Sequence, residues 1–341
     1  MRTIKKTLRT RINVLFVLTL VVLVTASWAA EARSQRRPPD VARDGKHKPP
    51  RQPKPDEDRM EQVRHAAVIV VAGSADHMDQ VLRKAKMKFV VVQASELAQL
   101  PLHSQQVLMV NCRGVMSSAA RARVERFVRA GGFLYTTDHA VHELVEKIFP
   151  RTIAWDRKTT TQQVFKMKAR GNTGLLSKIS SKRWQLAGGG YLFKVLDQQR
   201  VQILMSSEQV AKKYKHSGAL GARFRHHDGT VIHVTGHFYS QPGQTGAMAG
   251  AGRAFEQLSA NVVAAKKSDN RRINQLYSAS PRRKVTLRAA PSGDASAVPA
   301  NQVTTQELNK KSRVRVLQRK KGFSQVRDEQ GNEGWVEDSA L

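Results

Sequence analysis

From residue 66 to about 265 the chain alternates short, wholly apolar runs with stretches whose apolar residues recur at helical spacing, the pattern of a mainly parallel sheet flanked by helices. Strands are predicted at Ala67–Ala72, Phe89–Val92, Val107–Val110 and Phe133–Thr136. A helix over 78–85 places Met78, Val81, Leu82 and Ala85 on one face. Ser117 or Ser118 is placed to cap a second helix, with Val124, Phe127 and Val128 inward and Gly131-Gly132 closing it. A third, carrying Val141, Leu144, Val145 and Ile148, ends at Pro150. Between Thr160 and His227 the runs 163–167, 191–196, 201–205 and 221–224 read as further strands, some half-exposed, and Gly188-Gly189-Gly190 as a turn. Ala247 to Ala265 is a closing helix.

The pattern changes after Lys266. A polar, basic stretch reads as a linker over 268–282, and residues 283–341 carry short strands at 285–291, 312–317, 323–326 and 334–336 separated by polar turns. About 60 residues of this kind make a small β-barrel. The fold class expected is therefore α/β, a flavodoxin-like, mainly parallel sheet over 63–267, followed by a small all-β module.

The amino end has another character. Arg2, Lys5, Lys6, Arg9 and Arg11 precede the apolar run Val14–Val24, which is 11 residues long. A spanning helix needs ~20, so the segment suits a signal peptide over 1–32, with small-residue pairs at Ser27/Ala29 and Ala30/Ala32 for cleavage. An uncleaved anchor over residues 12–30, with Trp28 at the interface, is the alternative. Either places the rest outside the cytoplasm, periplasmic or secreted, and touching a membrane only through this segment. No cysteine follows the run, which excludes a lipoprotein-type anchor. Residues 33–62, rich in proline and charge, read as a disordered tether.

Composition narrows the function classes. Lys and Arg number 58 against 27 Asp and Glu, a formal charge of +31 that attracts polyanions, whether nucleic acid, anionic lipid headgroups or anionic envelope polymers, without choosing among them. The basic residues are scattered and aromatics make up 6%, which argues against a dedicated nucleic-acid groove. The single cysteine, Cys112, excludes an intrachain disulfide and any multi-cysteine cluster.

The order of three features resembles the class I glutamine amidotransferase-like superfamily, especially its ThuA-like branch. They are the strand, loop, helix and Gly-Gly-strand unit from Val107 to Thr136, the strand-to-helix turn at Thr136–Ala140, and Asp228-Gly229-Thr230-Val231-Ile232-His233-Val234-Thr235-Gly236-His237. Catalytic members carry a nucleophilic cysteine at that turn, whereas this chain has Thr137-Asp138-His139. Glutamine hydrolysis is not expected. Cys112 lies one strand earlier and is expected to be a half-buried filler, with no basic neighbour except Arg113.

Residues just after the carboxyl ends of parallel strands converge on the ligand crevice of such folds. Asp138, His139 and His237 are the candidates there for acid–base work, with Asn111 and Arg113 as ligand contacts. His139, His142 and His237 are the candidates for a metal, although no cofactor is predicted. The opposing reading is that Asp138 caps the following helix and His237 merely packs.

The C-terminal segment resembles a bacterial SH3 (SH3b) domain in Leu287-Arg288-Ala289-Ala290-Pro291, the Val314-x-Val316-Leu317 strand, Phe323, Val326 and Gly331-x-x-Gly334-Trp335-Val336. The resemblance implies binding of cell-wall peptide or glycan, with Trp335 and Phe323 as candidate contacts; the opposing reading makes Trp335 a barrel-closing core residue. The function expected is an exported, non-catalytic ligand- or partner-binding protein of the cell envelope. The alternative is an extracytoplasmic hydrolase using Asp138, His139 and His237.

Overall fold

The computed structural model describes residues 56–171, 174–177, 179–237, 246–290 and 306–341, with the backbone alone at 246–250. The signal-peptide expectation and most of the tether lie outside these residues.

The first described element is helix α1, Glu57–His65, where the sequence pattern predicted tether. Local chemistry explains it: Asp56 caps the helix by accepting the Arg59 N–H at 2.7 Å, and Glu57 and Asp58 sit in the first turn. Val63 is fully buried and anchors the helix to the sheet.

The elements that follow are β1 (Val68–Val71), α2 (Met78–Lys84), β2 (Val90–Val92), β3 (Val107–Val110), α3 (Ser118–Arg129) and β4 (Phe133–Thr137). Ser117 is the cap of α3, accepting the Ala120 N–H at 3.2 Å. After β4 a wide helical turn, Val141–Val145, runs into the short α4, Glu146–Ile148. Then come β5 (Ile153–Thr159), β6 (Gln163–Lys166), β7 (Lys168–Ala169), β8 (Arg183–Leu186), β9 (Tyr191–Val195), β10 (Gln202–Ser206), α5 (Glu208–Tyr214), β11 (Ala219–His226) and β12 (Gly229–Val234). Of these β5, β7, β8 and α5 were not expected from the sequence.

Eight strands form one sheet in the order β2-β1-β3-β4-β12-β11-β10-β7. β2, β1, β3, β4 and β12 pair in parallel, and β11, β10 and β7 extend the sheet antiparallel. Strands β1, β3, β4 and β12 are buried along their whole lengths, the signature of a sheet covered on both faces. One face packs Phe127, Val124 and Val128 of α3; the other packs Met78 and Leu82 of α2 with Leu258 and Val262 of α6, Gly246–Leu276. β5 pairs with β9 and β6 with β8 in separate ribbons. The α/β expectation is met in a mixed sheet whose parallel half carries the crevice.

Helix α6 corrects the expected linker. It continues through Lys266 to Leu276, held by the fully buried Ile273 and by Lys266, whose Nζ donates to the Gly131 carbonyl at 2.8 Å. Beyond it the C-terminal strands are β13 (Val285–Thr286), β14 (Glu307–Leu308), β15 (Val314–Lys320), β16 (Phe323–Asp328) and β17 (Glu333–Glu337). β15, β16 and β17 make an antiparallel sheet, tied to the β13 side by paired backbone bonds between Arg288 and Trp335. Leu287, Leu308, Val314, Val326 and Val336 form its core.

This all-β module is seated on the α/β part. Glu329 and Gln330 offer their carbonyls to Ser104 N–H (2.8 Å) and Arg123 (3.0 Å), and Asp228 receives both Arg327 and Arg315. At Gly331, φ 86°, the backbone lies against the Arg126 carbonyl with no room for a Cβ.

Candidate functional site

The carboxyl ends of β1, β3, β4 and β12 supply the site. β4 ends in Thr137, and Asp138 follows with φ 45°, a left-handed conformation that Asp tolerates better than most residues. That kink sets Asp138 at the strand-to-helix turn, fully buried. Its carboxylate does not cap the next helix. Oδ1 accepts the Tyr191 N–H at 2.8 Å and Oδ2 the Gly236 N–H at 3.2 Å, tying the β4 turn to the start of β9 and the segment just after β12. Gly190 is small of necessity, since a Cβ there would lie 2.6 Å from Asp138 Oδ2 and 2.7 Å from Thr160 Oγ1.

The two imidazoles expected beside Asp138 are there. His139 Nε2 stands 3.6 Å from Oδ1 and His237 Nε2 3.8 Å from Oδ2. His139 is the more accessible, its side chain 22% exposed against 9% for His237. His142 is directed elsewhere, with Nδ1 3.2 Å from Glu146 Oε1 and its ring 5.4 Å from that of Trp155.

Cys112 differs from expectation. It is fully buried rather than half-buried, and its neighbour is His139, whose Nδ1 lies 3.3 Å from Sγ. His139 Nε2 is 2.9 Å from the Gly189 carbonyl, which can only accept, so Nε2 carries the proton and Nδ1 receives the thiol. Burial, reinforced by the Asp76 and Asp138 carboxylates, pushes the thiol up to about 12. The thiolate needed by a nucleophile is disfavoured there.

Asp76 was not among the sequence candidates. It is buried and accepts the Cys112 N–H at 3.1 Å and the Thr137 hydroxyl, bracing the β3 and β4 ends together. Its position in the loop just after β1, another carboxyl end of the parallel sheet, was the available signal. Asn111 is buried too, with Oδ1 accepting the Met78 N–H at 3.2 Å; Arg113 is exposed. The rim of the site is aromatic. Tyr191 contacts the His139 ring at 4.0 Å and stacks on Trp155 at 4.2 Å, and Arg157 lies 5.3 Å from the Trp155 ring.

The remaining candidates lie in the C-terminal module. Trp335 is 8% exposed and Phe323 half-buried, with the Arg288 guanidinium 5.7 Å from the Phe323 ring. Away from the crevice, an open cleft of about 710 Å³ is lined by Lys166, Lys168, Lys182, Arg183 and Arg253. No helix among the described residues is long and apolar enough to cross a membrane.

No family model and no curated protein matches this chain. Among solved structures, it is similar to a putative ThuA-like protein from Parabacteroides merdae, at 12% identity and TM-score 0.41, covering 58% of this chain and 89% of that one. A putative ThuA-like protein from Bacteroides uniformis gives 9% identity and TM-score 0.39, covering 57% and 87%. A β-galactosidase from Bacillus circulans gives 13% identity and TM-score 0.40 over 77% of this chain, which spans 35% of that enzyme's length.

Proposed function

We propose that this protein is an extracytoplasmic binding protein of the cell envelope. In this reading a ThuA-like α/β domain holds a ligand or partner at the crevice around His139, Tyr191 and Trp155 without covalent turnover, and an SH3b-like module engages cell-wall peptide or glycan. The observation that carries it is the state of the reactive groups. Asp138 is fully buried with both oxygens taken by backbone N–H groups, and Cys112 is buried with a thiol held protonated. What faces solvent is imidazole and aromatic surface, which recognises without reacting. The +31 charge favours retention on anionic envelope polymers.

A hydrolase remains the second reading because His139 and His237 flank the same carboxylate at 3.6 and 3.8 Å, the arrangement of an acid–base pair. One experiment separates the two. Purified full-length protein is incubated with isolated cell-wall sacculi and, separately, with chromogenic ester, glycoside, peptide and phosphoester substrates. The binding reading expects retention on sacculi at physiological salt, weakened by Tyr191→Ala or Phe323→Ala, and no turnover. Turnover that disappears in His237→Ala would establish the hydrolase instead.

A further inference from the structure

We propose that Cys112 Sγ, His139 Nδ1 and a carboxylate oxygen of Asp138 form a binding site for one thiolate-accepting divalent metal ion, with Zn²⁺ the best match. The three residues present ligand atoms that all lie within 4.8 Å of one another. They come from the ends of adjacent parallel strands, so their spacing is fixed by the ladder between β3 and β4 rather than by a loose loop.

The orientation of His139 is the decisive detail. Its Nε2–H donates to the Gly189 carbonyl at 2.9 Å, which leaves the Nδ1 lone pair directed at Sγ, 3.3 Å away. A metal-ligating imidazole characteristically gives its other N–H to a backbone carbonyl or carboxylate in this way. Zn–S of about 2.3 Å and Zn–N of about 2.1 Å at a tetrahedral angle separate sulfur and nitrogen by roughly 3.6 Å. Opening the observed separation by a few tenths of an ångström admits the ion.

Charge points the same way. Asp138 is fully buried beside the Cys112 thiol, and its two carboxylate oxygens accept the Tyr191 and Gly236 N–H groups. A thiolate and a carboxylate together match the charge of a divalent cation, which offsets the cost of burying both. The mixture of sulfur, nitrogen and oxygen selects Zn²⁺ or Co²⁺ over Mg²⁺ and Ca²⁺, which take oxygen alone. His237, beside Asp138 Oδ2, or a water completes four-coordination, while His142 stays with Glu146.

Metal uptake is measured directly and does not depend on whether the crevice binds another ligand. Full-length protein is stripped with a chelator and titrated with Zn²⁺ by calorimetry, then with Co²⁺ by absorption spectroscopy. One equivalent is expected to bind, with a cobalt–thiolate charge-transfer band in the near ultraviolet. Cys112→Ser should abolish the band, and Cys112→Ser and His139→Gln should each weaken Zn²⁺ by at least about 10-fold. His142→Gln should bind as the parent does. Absence of the band in the folded parent overturns the proposal without recourse to any variant. Unchanged Zn²⁺ affinity in Cys112→Ser overturns it as well.

Discussion

Replacing Asp138 with Ala tests whether its carboxylate is a structural staple as much as a functional group. The substitution leaves the Gly236 N–H, buried, and the Tyr191 N–H, part-buried, without their acceptor. Each unsatisfied donor costs about 1–3 kcal/mol, so the pair accounts for about 2–6 kcal/mol. Alanine at φ 45° adds about 1 kcal/mol, because the left-handed region suits Asp and Asn better. Asn keeps one carbonyl acceptor and the backbone preference but turns an NH₂ toward the second donor, so about half the loss is expected. A loss of this size is a large part of a typical domain's total of about 5–15 kcal/mol. Urea unfolding followed by tryptophan fluorescence should therefore rank the parent above Asp138→Asn and that above Asp138→Ala. The buried Trp184, bonded through Nε1 to the Thr235 carbonyl at 2.6 Å, reports from nearby. An Ala variant within about 0.5 kcal/mol of the parent, or an Asn variant worse than Ala, would refute the staple.

Burial holds His233 down to about 3 from an ordinary 6.5, so between those values the unfolded chain takes up a proton that the folded one refuses. Stability should fall with acid across that window by up to about 1.4 kcal/mol per pH unit from this group, and the slope should flatten in His233→Gln. Gly331→Ala should force the β16–β17 turn off the Arg126 carbonyl, seen as faster hydrogen exchange over 306–341 with the sheet core unchanged. Trp335→Ala should cost about 3–5 kcal/mol by thermal melting if the ring is core, as its 8% exposure indicates. A variant that melts like the parent yet loses retention on sacculi would make Trp335 a ligand platform instead.

The parallel half of the sheet was legible because its strands are buried on both faces and appear as the unbroken runs VIVV, VLMV and FLYTT. The ribbons β5–β9 and β6–β8 were only half legible. Arg157 and Lys158 interrupt β5, and β8 is only the four residues RWQL; in the main sheet, β7, Lys168–Ala169, is too short to carry a period. Helix α6 was cut short because Lys266–Arg272 looks like a solvated linker, whereas Lys266 is buried against Gly131 and Phe133. At the site, position after a strand end grouped Asp138, His139 and His237, which lie side by side in the fold. The Cys112–His139 contact was missed, since adjacency across the β3–β4 ladder leaves no trace in local spacing. Asp76 was missed although it follows a strand end, because it lies five residues beyond β1 rather than directly after it.

Helix α6 also bears on how freely the C-terminal module can move against the sheet. At 31 residues it measures about 46 Å, and it is clamped near its end by Ile273 against Gly131 and by Arg313 on the Tyr277 carbonyl. A flexible linker lets two modules find epitopes over a range of separations, at the cost of a diluted second encounter. A clamped rod does the opposite. Whatever surfaces the two parts present are thereby held at one separation and orientation.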